Sequence, residues 1–160
     1  MEFHLPSHRL DPRALNAALA QFGYKAPILS FTALRGFLKG FIDLVFEHEG
    51  KFFILDWKSN HLGDSASDYS ADSLKNAMDQ QGYHLQYLLY SIALDRYLKL
   101  RLANYRREEH FGGVVYLFVR GVRPDWKSDD GAQAGLYFHK PTSEAIQHLS
   151  DLFNPIAVAA

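Results

Sequence analysis

The chain has 160 residues, of which 48% are hydrophobic and 22% charged, and its formal net charge of −1 gives no overall electrostatic attraction for nucleic acid. This size and composition are typical of a single globular domain, and the absence of cysteine excludes disulfides, zinc–thiolate sites and iron–sulfur clusters. Because no segment approaches the roughly 20 apolar residues of a membrane span and the first residues have no signal-peptide pattern, we expect a cytoplasmic protein that does not contact a membrane.

The N-terminal part of the chain predicts short elements joined by turns. Residues 1–9 are expected to form a short strand that Pro6 stops, because proline cannot donate to a strand ladder. Asp11 followed by Pro12 indicates the start of a helix with the acid as its N-cap, and Gly23 marks the end of that helix. Two further elements follow, a short strand at Ile28–Phe31 and a single helical turn at Phe31–Arg35.

The next stretch reads as a β-hairpin with apolar strands at 40–47 and 51–58. A Glu-Gly pair between the strands suits a two-residue turn, in which glycine supplies the positive φ. Because side chains alternate between the faces of a strand, counting back from this turn places Asp43 directly opposite Asp56, and Lys58 shares the face of Asp56. The second strand is apolar on both faces, which predicts a position in the middle of a layered α/β domain.

This arrangement of charges has two interpretations. Two carboxylates directly opposite each other lie about 5 Å apart at Cβ and repel, and a divalent cation such as Mg²⁺ or Mn²⁺ is the natural compensation because it prefers oxygen ligands. With Lys58 beside the ion, the set is typical of a metal-dependent phosphodiesterase. The alternative is an edge hairpin whose charged side chains face water and discourage aggregation, although a strand buried on both faces favours paired or metal-bound carboxylates.

The rest of the chain predicts two helices and two strands. After the hairpin we expect a polar loop at 59–73. A helix then runs from a cap at Asp72 or Ser73 to about Leu102, with a break at Gly82. A buried strand at Gly113–Val119 lies beside the hairpin. A flexible insertion at 122–135, a strand at Leu136–Lys140 and a helix from Thr142 or Ser143 to Phe153 follow. The polar loop is either an active-site flap or a surface connection. In the long helix, Gln86 and Tyr90 lie four residues apart and share one face.

Three motifs in this order resemble one protein family. They are Gly-Phe-Ile-Asp-Leu-Val-Phe around Asp43, Leu-Asp-Trp-Lys-Ser-Asn around Asp56 and Lys58, and the Gln-x-x-x-Tyr pair of Gln86 and Tyr90. The chain resembles the C-terminal nuclease domain of the RecB subunit of the RecBCD helicase–nuclease (exodeoxyribonuclease V beta chain), which belongs to the PD-(D/E)XK nuclease superfamily. This resemblance implies one α/β domain over the whole chain, with a restriction-endonuclease-like core in which helices flank a central mixed β-sheet.

The resemblance also implies a function and a set of site residues. The implied activity is Mg²⁺-dependent hydrolysis of phosphodiester bonds in DNA, within a helicase–nuclease for double-strand break repair and recombination. The implied residues are Asp43, Asp56 and Lys58 for catalysis; Asp43, Asp56 and the backbone at Trp57 for the metal; and Gln86, Tyr90, Ser59 and Asn60 for DNA. The expected partners are DNA, RecC- and RecD-like subunits and a recombinase. No ATP site is expected, because the chain has no Gly-x-x-x-x-Gly-Lys-Ser/Thr loop.

The chain departs from the family pattern at two points. Ile42 stands where the superfamily's first motif has proline, as it often does in RecB-type sequences. The family also takes a third metal ligand, a histidine, from a helix well upstream of Asp43, and neither His4 nor His8 lies in a matching segment. The chain is therefore expected to be a fragment or a minimal version of the domain. The alternative function is a non-catalytic DNA-binding or protein-docking module derived from the nuclease fold.

Overall fold

The computed structural model describes residues 1–127 and 131–153. Its strands are β1 (Glu2–Leu10), β2 (Leu34–Phe41), β3 (Leu44–His48), β4 (Lys51–Lys58), β5 (Phe111–Phe118) and β6 (Leu136–His139). Its helices are α1 (Pro12–Gln21), α2 (Ala71–Gln81), α3 (Tyr83–Arg101), α4 (Arg107–His110) and α5 (Ser143–Phe153), with a 3₁₀ turn at Ala66–Tyr69. Within these described ranges, none of the helices combines the length and the apolar character needed to cross a bilayer.

The central sheet has four strands in the order β3-β4-β5-β6, in which β4 and β5 are parallel and the other neighbours antiparallel. β4 therefore lies in the interior of the sheet, and β5 is the strand that the sequence predicted beside the hairpin. This mixed sheet with helices packed against it confirms the predicted α/β fold class. β1 and β2 form a separate antiparallel ribbon.

The hairpin forms around the predicted turn. Glu49 and Gly50 both have positive φ, 51° and 73°, which is the conformation of a type I′ turn whose twist matches that of the flanking strands. The ladder keeps the predicted register as far as Leu44 opposite Leu55. The prediction of a strand over 40–47 is wrong at its start, because the chain bends between β2 and β3 and the first of these residues belong to β2.

The N-terminal strands differ from the prediction. β1 does not stop at Pro6 but continues to Leu10, because each strand of a two-stranded ribbon has one edge outside the ladder, where proline is tolerated. The predicted strand at Ile28–Phe31 has no regular structure. The predicted helical turn at Phe31–Arg35 is also wrong, because this segment leads into β2 and its conformation is set by pairing with the distant β1.

The helices follow the prediction more closely. The side chain of Asp11 caps α1 as predicted, and the predicted break at Gly82 is confirmed by its left-handed backbone, φ 66°, between α2 and α3. The cap of α2 is Ser70 rather than Asp72 or Ser73, because the 3₁₀ turn runs directly into the helix. β6 and α5 lie where the sequence predicted them.

The predicted insertion at 122–135 is described only in part, since residues 128–130 lie outside the described ranges, as do 154–160. On either side of that gap, Lys127 and Gln133 form an isolated antiparallel bridge. Ala134 is buried. The flexibility of the insertion therefore stays a prediction.

Among the described residues, the helices cover one face of the central sheet and leave the other partly exposed. Its inner face packs against helices and includes the fully buried side chains of Ile54 and Tyr116. The opposite face, called the open face below, carries apolar side chains that the described elements leave partly exposed: Leu44, Phe46, Phe53, Leu55, Trp57, Val115, Leu117, Leu136 and Phe138. The prediction that β4 is buried on both faces is therefore wrong, since the Trp57 side chain on this face is 47% exposed.

Candidate active site

The C-terminal half of β4 places two charged side chains in the interior. Asp56 and Lys58 share the inner face, as the alternation of strand side chains predicts, and they are only 3% and 9% exposed. The ammonium Nζ of Lys58 lies 2.5 Å from Oδ2 of Asp56. A buried ion pair of this kind is costly to form unless further polar groups support it.

Asp43 reaches the same strand from outside the ladder. It lies in the bend that precedes β3, one position beyond the last ladder pair, and its side chain is exposed. Its Oδ2 accepts a hydrogen bond of 3.1 Å from the backbone N–H of Trp57. Asp43 is thus held at the middle residue of the Asp-Trp-Lys motif, rather than directly opposite Asp56 within a regular strand pair.

The buried Oδ2 of Asp56 has Lys58 as its charged partner. Its contact with the ammonium Nζ is 2.5 Å long, and no further hydrogen-bond partner for this oxygen lies among the described residues. Burial raises the pKa of Asp56, and the negative charge of Asp43 raises it further, whereas Lys58 acts in the opposite direction. The ionised carboxylate therefore lacks full compensation from the protein.

Lys58 is fixed by groups from other elements. Its Nζ donates a 2.8 Å hydrogen bond to Oε1 of Gln86. The ammonium also lies 4.1 Å from the ring centroid of Tyr83 and 5.0 Å from that of Tyr116, both within cation–π range. Gln86, the two rings and the Asp56 carboxylate together fix the position of the ammonium.

Gln86 is itself held in place by two tyrosines. Its Nε2 donates to the hydroxyl of Tyr90 at 2.9 Å, and its Oε1 accepts a second hydrogen bond of 3.0 Å from the hydroxyl of Tyr116. The Gln-x-x-x-Tyr pair on α3 therefore contacts the motif lysine directly. The role in DNA contact predicted for this pair stays a prediction.

The residues that follow β4 are tied to neighbouring elements. Oδ1 of Asn60 accepts a 3.1 Å hydrogen bond from the hydroxyl of Tyr83, and the backbone carbonyl of Ser59 accepts one of 2.9 Å from Nε of Arg120. The structure thus brings the predicted residues after Lys58 to the same end of the sheet as the charged pair. Their contact with DNA stays a prediction.

Two site residues were missed from the sequence. Tyr83 lies three residues before Gln86 on α3, a spacing that places side chains on one helix face. Tyr116 lies directly beside Asp56 in the parallel pairing of β4 and β5. The helical spacing could have identified the first, whereas the second needed a strand register that the sequence does not specify.

The donor set fits a hard divalent cation. Asp43 accepts a hydrogen bond from the backbone of the residue after Asp56, and its charge acts on the buried Asp56 carboxylate, so a cation that prefers oxygen ligands is a suitable further partner for both groups. The described residues contain no group of three His, Cys, Asp or Glu side chains that could hold a metal. His84, near Gln86 in sequence, is instead hydrogen-bonded to Asp79 and Tyr87.

Comparison with known proteins gives a consistent result. The chain matches the model of the PD-(D/E)XK nuclease superfamily over residues 4–158. It is 45% identical over 157 residues to the RecBCD enzyme subunit RecB of Escherichia coli (strain K12), an alignment that covers 96% of this chain and 13% of that protein. It is 37% identical over 155 residues to the RecB subunit of Haemophilus influenzae, with 96% and 12% covered.

A third relative, the RecB subunit of Mycolicibacterium smegmatis, is 39% identical over 150 residues, with 90% of this chain and 14% of that protein covered. The chain therefore spans only 12% to 14% of the length of these three relatives. These comparisons confirm the resemblance that the three motifs indicated.

Proposed function

Because the chain belongs to the PD-(D/E)XK nuclease superfamily, we propose that it hydrolyses phosphodiester bonds in DNA with the help of Mg²⁺, for which Mn²⁺ can substitute. The observation that carries this proposal is the buried carboxylate of Asp56, whose Oδ2 has the ammonium of Lys58 as its only polar partner among the described residues and whose pKa is raised by burial and by the negative charge of Asp43. A buried carboxylate oxygen in these surroundings suits a divalent cation.

Each residue of the site has a part in this proposal. Asp43 and Asp56 would hold the cation together with a backbone oxygen at Trp57. When bound, the ion supplies Lewis-acid polarisation of the phosphoryl group and a lowered pKa for water. Lys58 donates to the phosphoryl oxygens as negative charge develops on them, and Gln86 orients the ammonium for that contact.

Contacts to the DNA backbone complete the proposal. Ser59 and Asn60 follow the motif lysine directly and lie at the same strand end, where their polar groups are suited to phosphate and sugar oxygens. Gln86 and Tyr90 line the other side of the lysine. These contacts would position the strand without reading its sequence.

The test compares Mg²⁺-dependent degradation of linear DNA by the wild type and by Asp56→Asn. We expect the cleavage rate of the variant to be about a hundredfold lower than that of the wild type, or lower still. This is the loss expected when a group that stabilises the transition state is removed from an active site. Asp64→Asn is the matched control, because the Asp64 side chain is fully exposed in a loop. Undiminished cleavage by Asp56→Asn contradicts the proposal.

The assay is run on this chain alone and on the chain preceded by the matching upstream segment of a RecB relative, because the resemblance implies a third ligand there. Addition of EDTA should abolish the activity of both forms. Activity that survives in EDTA contradicts the metal-dependent mechanism.

A second candidate function is a non-catalytic module. It is favoured by one observation, namely that the described residues hold no group of three potential metal ligands. Calorimetric titration with Mg²⁺ beside a single-strand degradation assay separates the two candidates. If the chain binds Mg²⁺ and cleaves the strand, the nuclease is favoured. If the chain shows no metal binding and no cleavage, the module is favoured.

The biological setting of the chain is also a proposal. Its relatives are named as subunits of the RecBCD enzyme. We extend this to the present chain, which would act in the cytoplasm beside RecC- and RecD-like subunits and a recombinase during double-strand break repair. Co-purification with such subunits tests the assembly, and their absence from a purification under low salt would contradict it.

A further inference from the structure

β2 presents an alternating set of cationic and aromatic side chains to solvent. Arg35, Phe37, Lys39 and Phe41 occupy every second position, so they share one face of the ribbon, called the basic–aromatic face below. The two phenylalanine side chains are 76% and 58% exposed. Exposed apolar side chains that share one surface with cations are a feature of binding sites.

The other side of the ribbon explains why this face points outward. Phe3 and Leu5 of β1 are buried in the core, and Gly40 of β2 packs so closely on the Phe3 ring that a Cβ there would lie 2.4 Å from it. This contact fixes the inner side of the ribbon against the core. The alternate residues of β2 are therefore held in the exposed position.

The basic–aromatic face leads directly to the candidate active site. Phe41 ends β2, and only the buried Ile42 separates it from Asp43. At about 3.3 Å of rise per residue, the face from Arg35 to Phe41 is roughly 20 Å long. A bound linear chain of that length would therefore approach the carboxylate of Asp43 at one end.

One of the two cations on this face is free to meet an anion. The Arg35 side chain makes no hydrogen bond or ion pair with the parts of the chain that the structure describes. Lys39 lies 5.1 Å from the Phe41 ring centroid and 2.7 Å from the carboxylate of Glu2, which offsets part of its charge. His4 lies opposite Lys39 on the outward side of β1.

We propose that the basic–aromatic face binds single-stranded DNA and guides it toward Asp43. Unpaired bases stack on the rings of Phe37 and Phe41, while Arg35 and Lys39 contact the phosphates between them. Interleaved rings and cations are the chemistry by which proteins bind single strands without sequence preference. A duplex hides its base faces within the stack, so it does not fit this face. The inference rests on the proposed function for one point, namely that the bound single strand is DNA.

A protein partner fits this face less well than it fits the open face. Cations interrupt the apolar side chains of β2 at every second position. On the open face the apolar side chains of neighbouring strands adjoin one another, as in Leu55 beside Val115 and Phe138. The arrangement on β2 therefore favours a ligand that alternates apolar rings with negative charges.

The test measures binding of a fluorescein-labelled oligothymidylate of about 16 nucleotides by anisotropy, in EDTA so that cleavage plays no part. Phe37→Ala and Phe41→Ala should each weaken binding about tenfold, the magnitude expected for removal of one base stack. Phe37→Trp should retain binding, and Phe37→Leu should weaken it although the apolar side chain remains. Phe138→Ala is the matched control, because Phe138 is 52% exposed on the open face.

The cations are tested separately. Arg35→Ala with Lys39→Ala should weaken binding and reduce the slope of log affinity against log salt by about 0.7 for each phosphate that is no longer neutralised, the value for a single strand. Arg13→Ala, an exposed arginine on α1, should leave the slope unchanged. Far-ultraviolet circular dichroism melts confirm that each variant is folded.

Three outcomes overturn the inference: unchanged affinity in the Phe37 and Phe41 variants, an equal loss in Phe138→Ala, or a blunt duplex bound as tightly as the single strand. None of these touches the nuclease proposal, which depends on cleavage with Mg²⁺. Conversely, a wild type that binds the strand through this face but does not cleave it, even with the upstream segment present, contradicts the nuclease proposal and supports the inference.

Discussion

Lys58 of β4 donates a 2.8 Å hydrogen bond to Oε1 of Gln86, which lies 28 residues further along the chain on α3. The same oxygen accepts a hydrogen bond from the hydroxyl of Tyr116. The lysine of the Asp-x-Lys motif and the glutamine of the Gln-x-x-x-Tyr motif thus form one unit, in which the helix orients the ammonium that the strand supplies. This relationship assigns the glutamine a positioning role before any role in DNA contact.

Gln86→Leu removes this hydrogen bond and leaves the buried ammonium held only by Asp56 and the two tyrosine rings. We expect the rate constant for Mg²⁺-dependent cleavage to fall about 10- to 100-fold, which corresponds to one hydrogen bond to a charged group. Single-turnover kinetics measure the chemical step, and kcat should fall more than KM rises. Gln81→Leu, at an exposed glutamine of α2, is the control and should cleave like the wild type.

Tyr83 contributes a ring to the same ammonium at 4.1 Å. Tyr83→Leu should lower the cleavage rate about 3- to 30-fold because it removes this cation–π interaction. Tyr83→Phe keeps the ring and loses only the hydrogen bond to Asn60, so it should retain most of the rate. Tyr97→Leu, at an exposed tyrosine of the same helix, is the control. Equal losses in the Phe and Leu variants would show that the hydroxyl, and not the ring, matters.

The pH dependence of Asp56 follows from its surroundings. Burial raises the pKa of this carboxyl in the folded chain above its ordinary value of 3.8. Between that value and the raised pKa the folded state binds more protons than the unfolded state, so the contribution of Asp56 to stability is present at low pH and declines as the pH rises through this window. In EDTA, the difference in Tm between wild type and Asp56→Asn should change across this window, as differential scanning fluorimetry can measure.

Mg²⁺ should reverse this trend, because the ion binds the ionised carboxylate and competes with the proton. We expect the Mg²⁺-induced rise in Tm of the wild type to be largest above the raised pKa of Asp56 and to vanish below it. Asp56→Asn should show no Mg²⁺-induced shift at any pH. A shift of the same size in the variant would mean that the ion binds elsewhere.

The buried carboxylate of Asp95 joins α3 to the segment before β5. Nε and Nη2 of Arg107 donate to its two oxygens at 2.7 Å and 2.8 Å, and Lys99 and Tyr105 contact the same group. Arg107→Ala removes two hydrogen bonds from this buried charge and leaves only Lys99 and Tyr105 to compensate it. We therefore expect the free energy of unfolding to fall by about 3 kcal/mol, the lower end of the range for breaking a buried ion pair. Urea denaturation measures this change.

Its neighbour provides the control. Arg106 pairs with Glu109 on the exposed surface, so Arg106→Ala should lower the free energy of unfolding by less than about 1 kcal/mol. If the two variants lost similar amounts of unfolding free energy, burial would not be the reason for the stability that Arg107 contributes. Neither arginine contacts Asp56 or Lys58, and the folded Arg107→Ala variant should bind Mg²⁺ like the wild type.

The parts of the site that were predictable depend on local periodicity. The Glu-Gly turn sets the register of the hairpin, and the two-residue repeat of a strand then places Asp56 and Lys58 on one face. Helical spacing similarly pairs Gln86 with Tyr90. Such relationships need only residues that are near one another in the chain.

The parts that were not predictable depend on pairing between distant segments. β2 forms because β1 lies beside it, and Gly36 and Gly40 interrupt the residue pattern that would otherwise identify a strand. Tyr116 joins the site through a parallel register that no turn determines. The bend that takes Asp43 out of the ladder likewise follows from the junction between β2 and β3, where the chain passes from the ribbon to the central sheet.

The two sides of Trp57 give the protein a spectroscopic reporter. Its backbone N–H donates to Asp43 at the candidate metal site, while its indole lies on the open face and is 47% exposed. A cation that draws Asp43 toward itself alters the backbone that carries the indole, so the intrinsic fluorescence should respond to metal binding. Because the chain has one other tryptophan, Trp126, the Trp126→Phe variant would make this emission a label-free measure of metal capture.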